Sequence, residues 1–123
     1  MSYQLAIKDV EIKYGQLSAV KKISLSLERG EIGCLLGPSG CGKTSLQRAI
    51  AGFEPLSRGQ ISLAGKVVSK PGSILSPERR NVGMVFQDYA LFPHLNVERN
   101  ITFGLSKLSK SERHKRVQSL LEM

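Results

Sequence analysis

A glycine-rich segment, residues 37–44, has the residue types and the spacing needed to hold a chain of phosphates. It reads Gly-Pro-Ser-Gly-Cys-Gly-Lys-Thr and matches the pattern G-x-x-x-x-G-K-[ST]. Gly37, Gly40 and Gly42 have no Cβ, so the backbone between them can curl and direct successive N–H groups at phosphate oxygens. A helix that begins near Lys43 would add the positive end of its dipole. The segment is therefore predicted to be a P-loop that binds a nucleoside triphosphate.

The side chains that follow the last glycine supply the remaining contacts. Lys43 is long enough to bring its ammonium group to the β- and γ-phosphates, and the Thr44 hydroxyl is placed to bind a Mg²⁺ ion that bridges them. Ser45 is a further donor on the α-phosphate side. Cys41, inside the loop, is interpreted as a small filler, with the alternative that the helix N-terminus makes its thiol more reactive than that of Cys34.

The elements that must position this loop can be predicted from the residues on either side. Residues 31–36 are apolar nearly throughout and lie between Gly30 and Gly37, which predicts a strand buried on both faces at the start of a parallel core. Residues 44–51 are helix formers, and Gly52 supplies a stop signal. Strand, loop and helix therefore follow in the order typical of an α/β P-loop fold.

Alternation of polar and apolar residues predicts further strands ahead of and behind the loop. Residues 3–14 and 23–27 predict two strands of a half-exposed antiparallel layer at the N-terminus. Residues 60–68 predict a hairpin that turns near Ala64 and Gly65, and residues 69–77 predict a loop rich in Ser, Pro and Gly.

The remainder of the chain predicts one more apolar strand, at residues 81–86, and a final helix. Ser109 and Glu112 form a capping-box pair at the start of that helix, and residues 117–121 carry an apolar stripe. The stripe continues almost to Met123 with no glycine cap after it. We expect the natural protein to continue beyond this residue.

Composition limits the class of protein. A chain of 123 residues, 41% hydrophobic and 23% charged, is typical of one globular domain. No run approaches the roughly 18 to 20 apolar residues that cross a bilayer, and the first residues lack the pattern of a signal peptide, so a cytoplasmic location is expected. Cys34 and Cys41 have neither metal-site nor disulfide-framework spacing, which fits a reducing compartment.

Two other classes of function stay open on the residues alone. The net charge of +8 suits a non-enzymatic module that binds nucleic acid, although the 18 basic residues are scattered from Lys8 to Arg116 and indicate a solvated surface that favours an anionic ligand. A small P-loop kinase or another NTPase is the second alternative. The Asn-Lys-x-Asp motif of GTPases is absent, and the short chain leaves little room for the arginine-bearing lid of a kinase.

Five stretches of the chain together resemble the nucleotide-binding subunit of ABC transporters, and the resemblance covers essentially the entire chain. The stretches are residues 14–15, 24–30, 35–44, 51–55 and 82–105. The sharpest part, residues 85–97, is similar to the Q-loop region of the importer branch. The resemblance implies an α/β P-loop NTPase of the ABC ATPase type with an N-terminal antiparallel β layer. Residues 1–123 would be the N-terminal part of that domain, truncated before the signature and Walker B regions.

The resemblance also assigns roles to individual residues. Gln87 would contact Mg²⁺ and the attacking water, and Tyr14 would stack on adenine. The residues assigned to bind ATP and Mg²⁺ are Tyr14, Gly37, Pro38, Ser39, Gly40, Cys41, Gly42, Lys43, Thr44, Ser45 and Gln87. Among them, Lys43 and Gln87 have the catalytic roles, and Thr44 and Gln87 are the metal ligands. An alternative stays open for Asp88, which could be the Mg²⁺-binding carboxylate that follows a Walker B strand.

The partners implied by the resemblance are a second copy of the subunit in a head-to-tail dimer, permease subunits that dock between Tyr89 and Val97, and indirectly a substrate-binding protein. No nucleic acid is expected, and the location implied is the cytoplasmic face of the membrane. Residues 52–55, 61–65 and 69–80 are most similar to ferric-ion importers, with polyamine and sulfate importers next. The family's signature, Walker B strand, catalytic Glu and switch His have no counterpart here. ATP hydrolysis is therefore expected of the full-length protein and not of this chain alone.

Overall fold

A computed structural model of the protein describes residues 3–38, 40 and 42–123. The chain divides into two compact units, Met1–Met84 and Val85–Met123. Among the described residues, the first unit contains a five-stranded antiparallel sheet and one α-helix, and a short 3-10 helix, Pro77–Arg79, follows its last strand. The strands are β1 (Leu5–Tyr14), β2 (Leu17–Leu27), β3 (Arg58–Leu63), β4 (Lys66–Lys70) and β5 (Ser73–Ile74), and the helix is α1 (Lys43–Ala51). The strand order is β2-β1-β3-β4-β5.

Strand β1 is paired on both sides, with β2 and with β3, and both pairings are antiparallel. The predicted N-terminal antiparallel layer is therefore confirmed, although β2 begins at Leu17, earlier than predicted. The register of β1 against β2 shifts between Ile7 and Val10. At this irregularity β3 passes so close that a Cβ on Gly59 would lie 2.3 Å from the Asp9 carbonyl oxygen. Glycine is therefore required at this position of β3.

Helix α1 packs its apolar side against the sheet and thereby fixes the position of the loop that precedes it. The buried core consists of Ile7, Val10, Ile12, Val20, Leu46, Ala49, Leu56, Ile61 and Val68. Two of these residues, Leu46 and Ala49, belong to α1 and are three positions apart, as one face of a helix requires. The helix ends where predicted, at Gly52, whose φ of 99° lies in the left-handed region that glycine favours.

The hairpin of β3 and β4 is also confirmed, with Gly65 in the turn at a φ of 82°. The loop predicted for residues 69–77 is wrong in part. Strand β4 continues to Lys70, and β5 pairs with it in antiparallel register. The Ser and Gly residues of this segment predict a loop. A short strand forms all the same, because backbone pairing with an existing strand edge does not depend on side-chain type.

The two predicted core strands are not formed. Residues 31–36 are irregular, with Ile32 97% and Leu36 87% exposed, so the prediction of a buried parallel strand is wrong for this structure. A buried strand needs neighbours that pair with its backbone N–H and C=O groups, and none of the strands of the described residues pairs with this segment. The strand predicted at residues 81–86 is wrong for the same reason, and Val85 is exposed.

The second unit contains two helices, α2 (Val97–Thr102) and α3 (Lys110–Leu121), among its described residues. Helix α3 begins with the predicted capping box, in which the Ser109 hydroxyl accepts from the Glu112 N–H and the Glu112 carboxylate accepts from the Ser109 N–H. Val117 is buried as predicted. The Asn100 side chain accepts from the N–H of Phe92 and donates to three carbonyl groups, which fixes the turn that leads into α2.

Candidate functional site

The glycine-rich loop lies directly against β2. Gly40 and Gly42 have φ angles of 83° and 94°, conformations that residues with a side chain rarely adopt. A Cβ on Gly42 would lie 2.2 Å from the Ala19 carbonyl oxygen and 3.1 Å from a methyl carbon of Val20. Gly42 is therefore needed both for its backbone conformation and for its close approach to the strand. Ser39 and Cys41, two of the predicted binding residues, lie outside the described residues.

The first turn of α1 offers its N–H groups to a ligand. Its N-cap residue is Gly42, which has no side chain to accept from these groups, and the turn contains no acidic residue. Four N–H groups at the start of a helix have no partner within the helix, and the dipole makes this end positive. The local arrangement therefore suits an anion such as a phosphate.

Lys43 is the first residue of α1, and its ammonium group donates to the carbonyl oxygen of Gly37. The lysine thus joins the beginning of the loop to its end, and its positive charge lies at the loop. Thr44 is exposed in the same turn, and its hydroxyl is the group with the chemistry to bind Mg²⁺ beside a phosphate. These residues fit a Mg²⁺-triphosphate group by charge and by donor type.

Tyr14 and Ser45 are brought together by the pairing of β1 with the rest of the sheet. The Tyr14 hydroxyl lies 3.0 Å from the Ser45 hydroxyl, within hydrogen-bond distance. Tyr14 is the last residue of β1 and is 44% exposed, so part of its ring faces solvent beside the first turn of α1. Its place next to the P-loop is compatible with the predicted adenine contact, which remains a prediction.

Gln87 and Asp88 lie in the second unit, in an irregular segment, and both are exposed. The alternative for Asp88 requires a carboxylate that follows an apolar strand. Residues 81–86 do not form that strand, so this geometry is not present. The role of Gln87 with Mg²⁺ and water remains a prediction.

A cavity of about 530 Å³ borders the loop and is lined by residues of β2, by Leu35 and Leu36, and by the start of α1. Most of this lining is aliphatic, and Lys43 is at one side of it. The two basic residues of the lining, Lys21 and Lys43, and the loop glycines are the parts of the cavity that suit a charged phosphate. In the described part of the chain, no three His, Cys, Asp or Glu residues are grouped as a metal site would require.

Arg80 is a structurally important residue that sequence reasoning missed. It is 5% exposed, and its guanidinium group reaches the C-terminal end of α1, where it donates to the carbonyls of Ala49 and Ile50. Arg79 precedes it in the sequence and is exposed. No local pattern separates the two arginines, because the partners of Arg80 lie up to 31 residues away along the chain.

No helix among the described residues has both the length and the apolar character needed to cross a bilayer. Helix α1 and the described glycines before it are typical of the P-loop class of proteins.

Comparison with known proteins gives the family. A family model described as "ABC transporter" matches residues 20–123. The chain belongs to the ABC transporter family, which confirms the resemblance inferred from the sequence.

Similar proteins are named for different substrates. The Fe(3+) ions import ATP-binding protein FbpC of Fusobacterium nucleatum subsp. nucleatum is 42% identical over 100% of this chain and 33% of its own length. The spermidine/putrescine import ATP-binding protein PotA of Thermotoga maritima is 44% identical over 98% of this chain and 32% of its own. The trehalose/maltose import ATP-binding protein MalK of Thermococcus litoralis is 45% identical over 94% of this chain and 32% of its own length. The chain thus spans about a third of the length of these relatives.

A solved structure supports the fold assignment. The crystal structure of a nucleotide-free ATP-binding cassette from an ABC transporter matches with a TM-score of 0.53 and 26% sequence identity, over 56% of this chain and 27% of that one. The predicted fold class, an α/β P-loop fold of the ABC ATPase type, is confirmed by this similarity together with the family match.

Proposed function

We propose that this chain is the phosphate-binding part of an ATP-binding subunit that powers import across a membrane. The observation that carries the proposal is the loop before α1, where Lys43 donates to Gly37 and the helix begins at a glycine with no capping side chain. Residues 1–123 are in this proposal the N-terminal part of a nucleotide-binding domain. ATP and Mg²⁺ are the ligands, with Thr44 and Gln87 as metal ligands.

The full-length protein is proposed to be an ABC-type transport ATPase. Each of the three relatives above is named as an import ATP-binding protein, which supports this activity. Stabilisation of the charge that develops during phosphoryl transfer needs donors on several sides of the γ-phosphate. Within this chain Lys43 supplies one side, and the predicted Gln87 another. We therefore expect this chain to bind nucleotide and not to turn it over.

Ferric ion is the substrate that we propose, on the sequence similarity of residues 52–55, 61–65 and 69–80. The relative named for Fe(3+) import is 42% identical, and those named for polyamine or sugar import are 44% and 45% identical. Overall identity does not separate these substrates. The proposal for iron therefore depends on the short segments alone.

The proposed partners are a second copy of the subunit, permease subunits and, through them, a substrate-binding protein. The segment between Tyr89 and Val97 supports the permease contact, because its Tyr89, Leu91 and Val97 side chains are exposed although they are apolar or aromatic. We also propose that this contact is made at the cytoplasmic face of the membrane.

Mg-ATP binding can be tested by thermal unfolding. A ligand at about a hundred times its dissociation constant stabilises the folded state by roughly 2.7 kcal/mol. We expect saturating Mg-ATP to raise the melting temperature of the protein and to leave that of Lys43→Ala unchanged. Lys66→Ala is the matched control, because Lys66 is exposed in β4 of the same unit. An unchanged melting temperature for a folded, unmutated sample would contradict the proposal.

A further inference from the structure

Arg80 is a buried cation held by oxygen atoms from three separate segments of the first unit. Its Nε donates to the Leu75 carbonyl at 2.7 Å. Nη1 donates to the carbonyls of Ala49 and Ile50 at 3.2 and 3.3 Å, and Nη2 donates to the Val68 carbonyl at 3.0 Å and the Ser69 hydroxyl at 2.6 Å. A guanidinium group has five N–H donors. These five contacts account for all of them.

The charge of Arg80 is compensated without a carboxylate. None of the ion pairs formed by the described residues includes Arg80. Two of its acceptors, the carbonyls of Ala49 and Ile50, belong to the last turn of α1, where the helix dipole is negative. Burial lowers the pKa of Arg80 from its ordinary value, but a guanidinium group remains charged at neutral pH.

The end of α1 is shaped to receive this side chain. A Cβ on Gly52 would lie 2.7 Å from Nε of Arg80 and 3.1 Å from Cζ. The Gly52 N–H also donates to the Ala49 carbonyl, which is one of the acceptors of Arg80. The last turn of α1 is thus fixed by a left-handed glycine and by the guanidinium group that occupies the space beside it.

We propose that Arg80 is a positioning residue for the phosphate-binding loop, because it fixes the far end of the helix whose first turn carries Lys43, Thr44 and Ser45. The inference rests on the proposed function. A helix of nine residues is about 13 Å long and behaves as a rigid rod over that length. A tilt of about 5° at its C-terminal end therefore moves its first turn by about 1 Å. Displacements of this size are large enough to weaken contacts that depend on geometry.

Three variants of the protein test the proposal by their dissociation constants for Mg-ATP, measured near 10 °C on samples shown to be folded by circular dichroism. Arg80→Ala removes the side chain, and we expect affinity to fall at least about tenfold. Arg80→Lys keeps a positive charge but lacks the planar set of donors of a guanidinium group, so we expect its affinity for Mg-ATP to stay low. Arg79→Met is the matched control, since Arg79 is the exposed neighbour, and its affinity should not change.

Chemical rescue separates positioning from general stability. Propylguanidinium added at millimolar concentration to Arg80→Ala should restore Mg-ATP affinity at least threefold with saturation, and propylammonium should not. Folded Arg80→Ala that binds Mg-ATP as tightly as the unmutated protein would overturn the proposal, and so would a loss of affinity that propylguanidinium does not reverse. Failure of the unmutated protein to bind Mg-ATP would instead overturn the proposed function.

A milder variant keeps the test decisive if Arg80→Ala does not fold. Ser69→Ala removes only the 2.6 Å contact to Nη2, at a buried position where alanine fits. We expect a two- to threefold loss of Mg-ATP affinity and changed amide NMR shifts for Lys43, Thr44 and Ser45. Unchanged shifts in this first turn together with unchanged affinity would overturn the proposal.

Discussion

The two ends of α1 show opposite solutions to the same problem. Every helix leaves N–H groups without partners at its start and carbonyl groups without partners at its end. At the start of α1, Gly42 offers no cap and the side chain of Lys43 turns back to Gly37. At the other end, the Gly52 N–H donates to the Ala49 carbonyl, and Arg80 donates to the carbonyls of Ala49 and Ile50.

The two ends of α1 therefore have different roles: its start is available to bind a ligand, and its end is anchored to the rest of the first unit. The start of α1 has no capping side chain, whereas at its end the carbonyls of Ala49 and Ile50 accept from Arg80. Changes at the end of α1 should therefore act first on stability, and changes at its start should act first on nucleotide binding.

The largest expected effect is on stability, from Arg80→Met. Methionine fills part of the volume but removes all five donors. The Ala49 and Val68 carbonyls keep the N–H groups of Gly52 and Leu75, whereas the Ile50 and Leu75 carbonyls lose the donor that Arg80 supplies, and an unsatisfied buried polar group costs about 1–3 kcal/mol. We expect the free energy of unfolding in urea to fall by at least about 3 kcal/mol. The exposed neighbour Arg79 serves as control, and Arg79→Met should change the free energy of unfolding by less than about 0.5 kcal/mol. Equal losses for the two arginines would contradict the anchoring account.

A glycine pair compares the two ends of the helix directly. Gly42→Ala and Gly52→Ala both place a side chain at positive φ and both meet a close neighbour, at 2.2 and 2.7 Å respectively. Each should destabilise the protein by about 1–3 kcal/mol. Gly42→Ala should also abolish Mg-ATP binding, because the Ala19 carbonyl is backbone and forces the loop itself to move. Gly52→Ala should only weaken Mg-ATP binding, because it displaces the side chain of Arg80.

Gly65→Ala is the control for backbone strain alone. Gly65 also has a positive φ, of 82°, but no atom lies within 4 Å of the added Cβ. The free energy of unfolding of Gly65→Ala should be lower by about 1 kcal/mol. If Gly65→Ala costs as much as the other two substitutions, the close contacts contribute nothing.

Tyr14→Ala should weaken ATP binding without affecting the phosphates. Stacking of a base on an aromatic ring is worth about 1–3 kcal/mol, so a loss of roughly tenfold or more in ATP affinity is expected. Affinity for inorganic triphosphate should be unchanged. Tyr14→Phe keeps the ring but loses the hydrogen bond to Ser45, and it should bind ATP nearly as the unmutated protein does. Equal losses for ATP and triphosphate would assign Tyr14 a structural role instead.

The smallest effect is expected at the exposed carboxylate of Glu78. Hydrogen bonds from its own backbone N–H and from the Ser76 hydroxyl hold the pKa of this exposed carboxyl below its ordinary value, with a smaller contribution from Arg79. Because the folded pKa is lowered, the stabilisation is present at neutral pH and is lost as pH falls through the folded pKa. Urea unfolding at stepwise lower pH should show a slightly shallower loss of stability for Glu78→Gln. Identical pH profiles would show that the interaction is screened by solvent.

The sequence was a good guide where the signals are local. The Gly52 stop, the Ser109–Glu112 capping box and the Gly65 turn each depend on residues a few positions apart, and the structure has each of these elements. Backbone conformation near Gly42 could be anticipated in the same way. Local chemistry decides these features.

Long-range pairing was beyond the reach of such reasoning. Residues 31–36 have the composition of a buried strand, but a strand also needs paired neighbours, and no strand of the described residues supplies one. Arg80 was missed because its five acceptors come from α1, β4 and the segment after β5. Only the folded sheet and helix bring these oxygens together.

The central claim is that the loop and the first turn of α1 hold the phosphates of Mg-ATP. Titration of ¹⁵N-labelled protein with Mg-ATP tests it residue by residue. We predict saturable shifts of the amides of Gly40, Gly42, Lys43, Thr44 and Ser45, with little change at Ala49 and Ile50, and loss of these shifts in Lys43→Ala. Saturable shifts confined to α3, where Lys110, Lys115 and Arg116 are exposed, or shifts in the loop that persist in Lys43→Ala, would contradict the account.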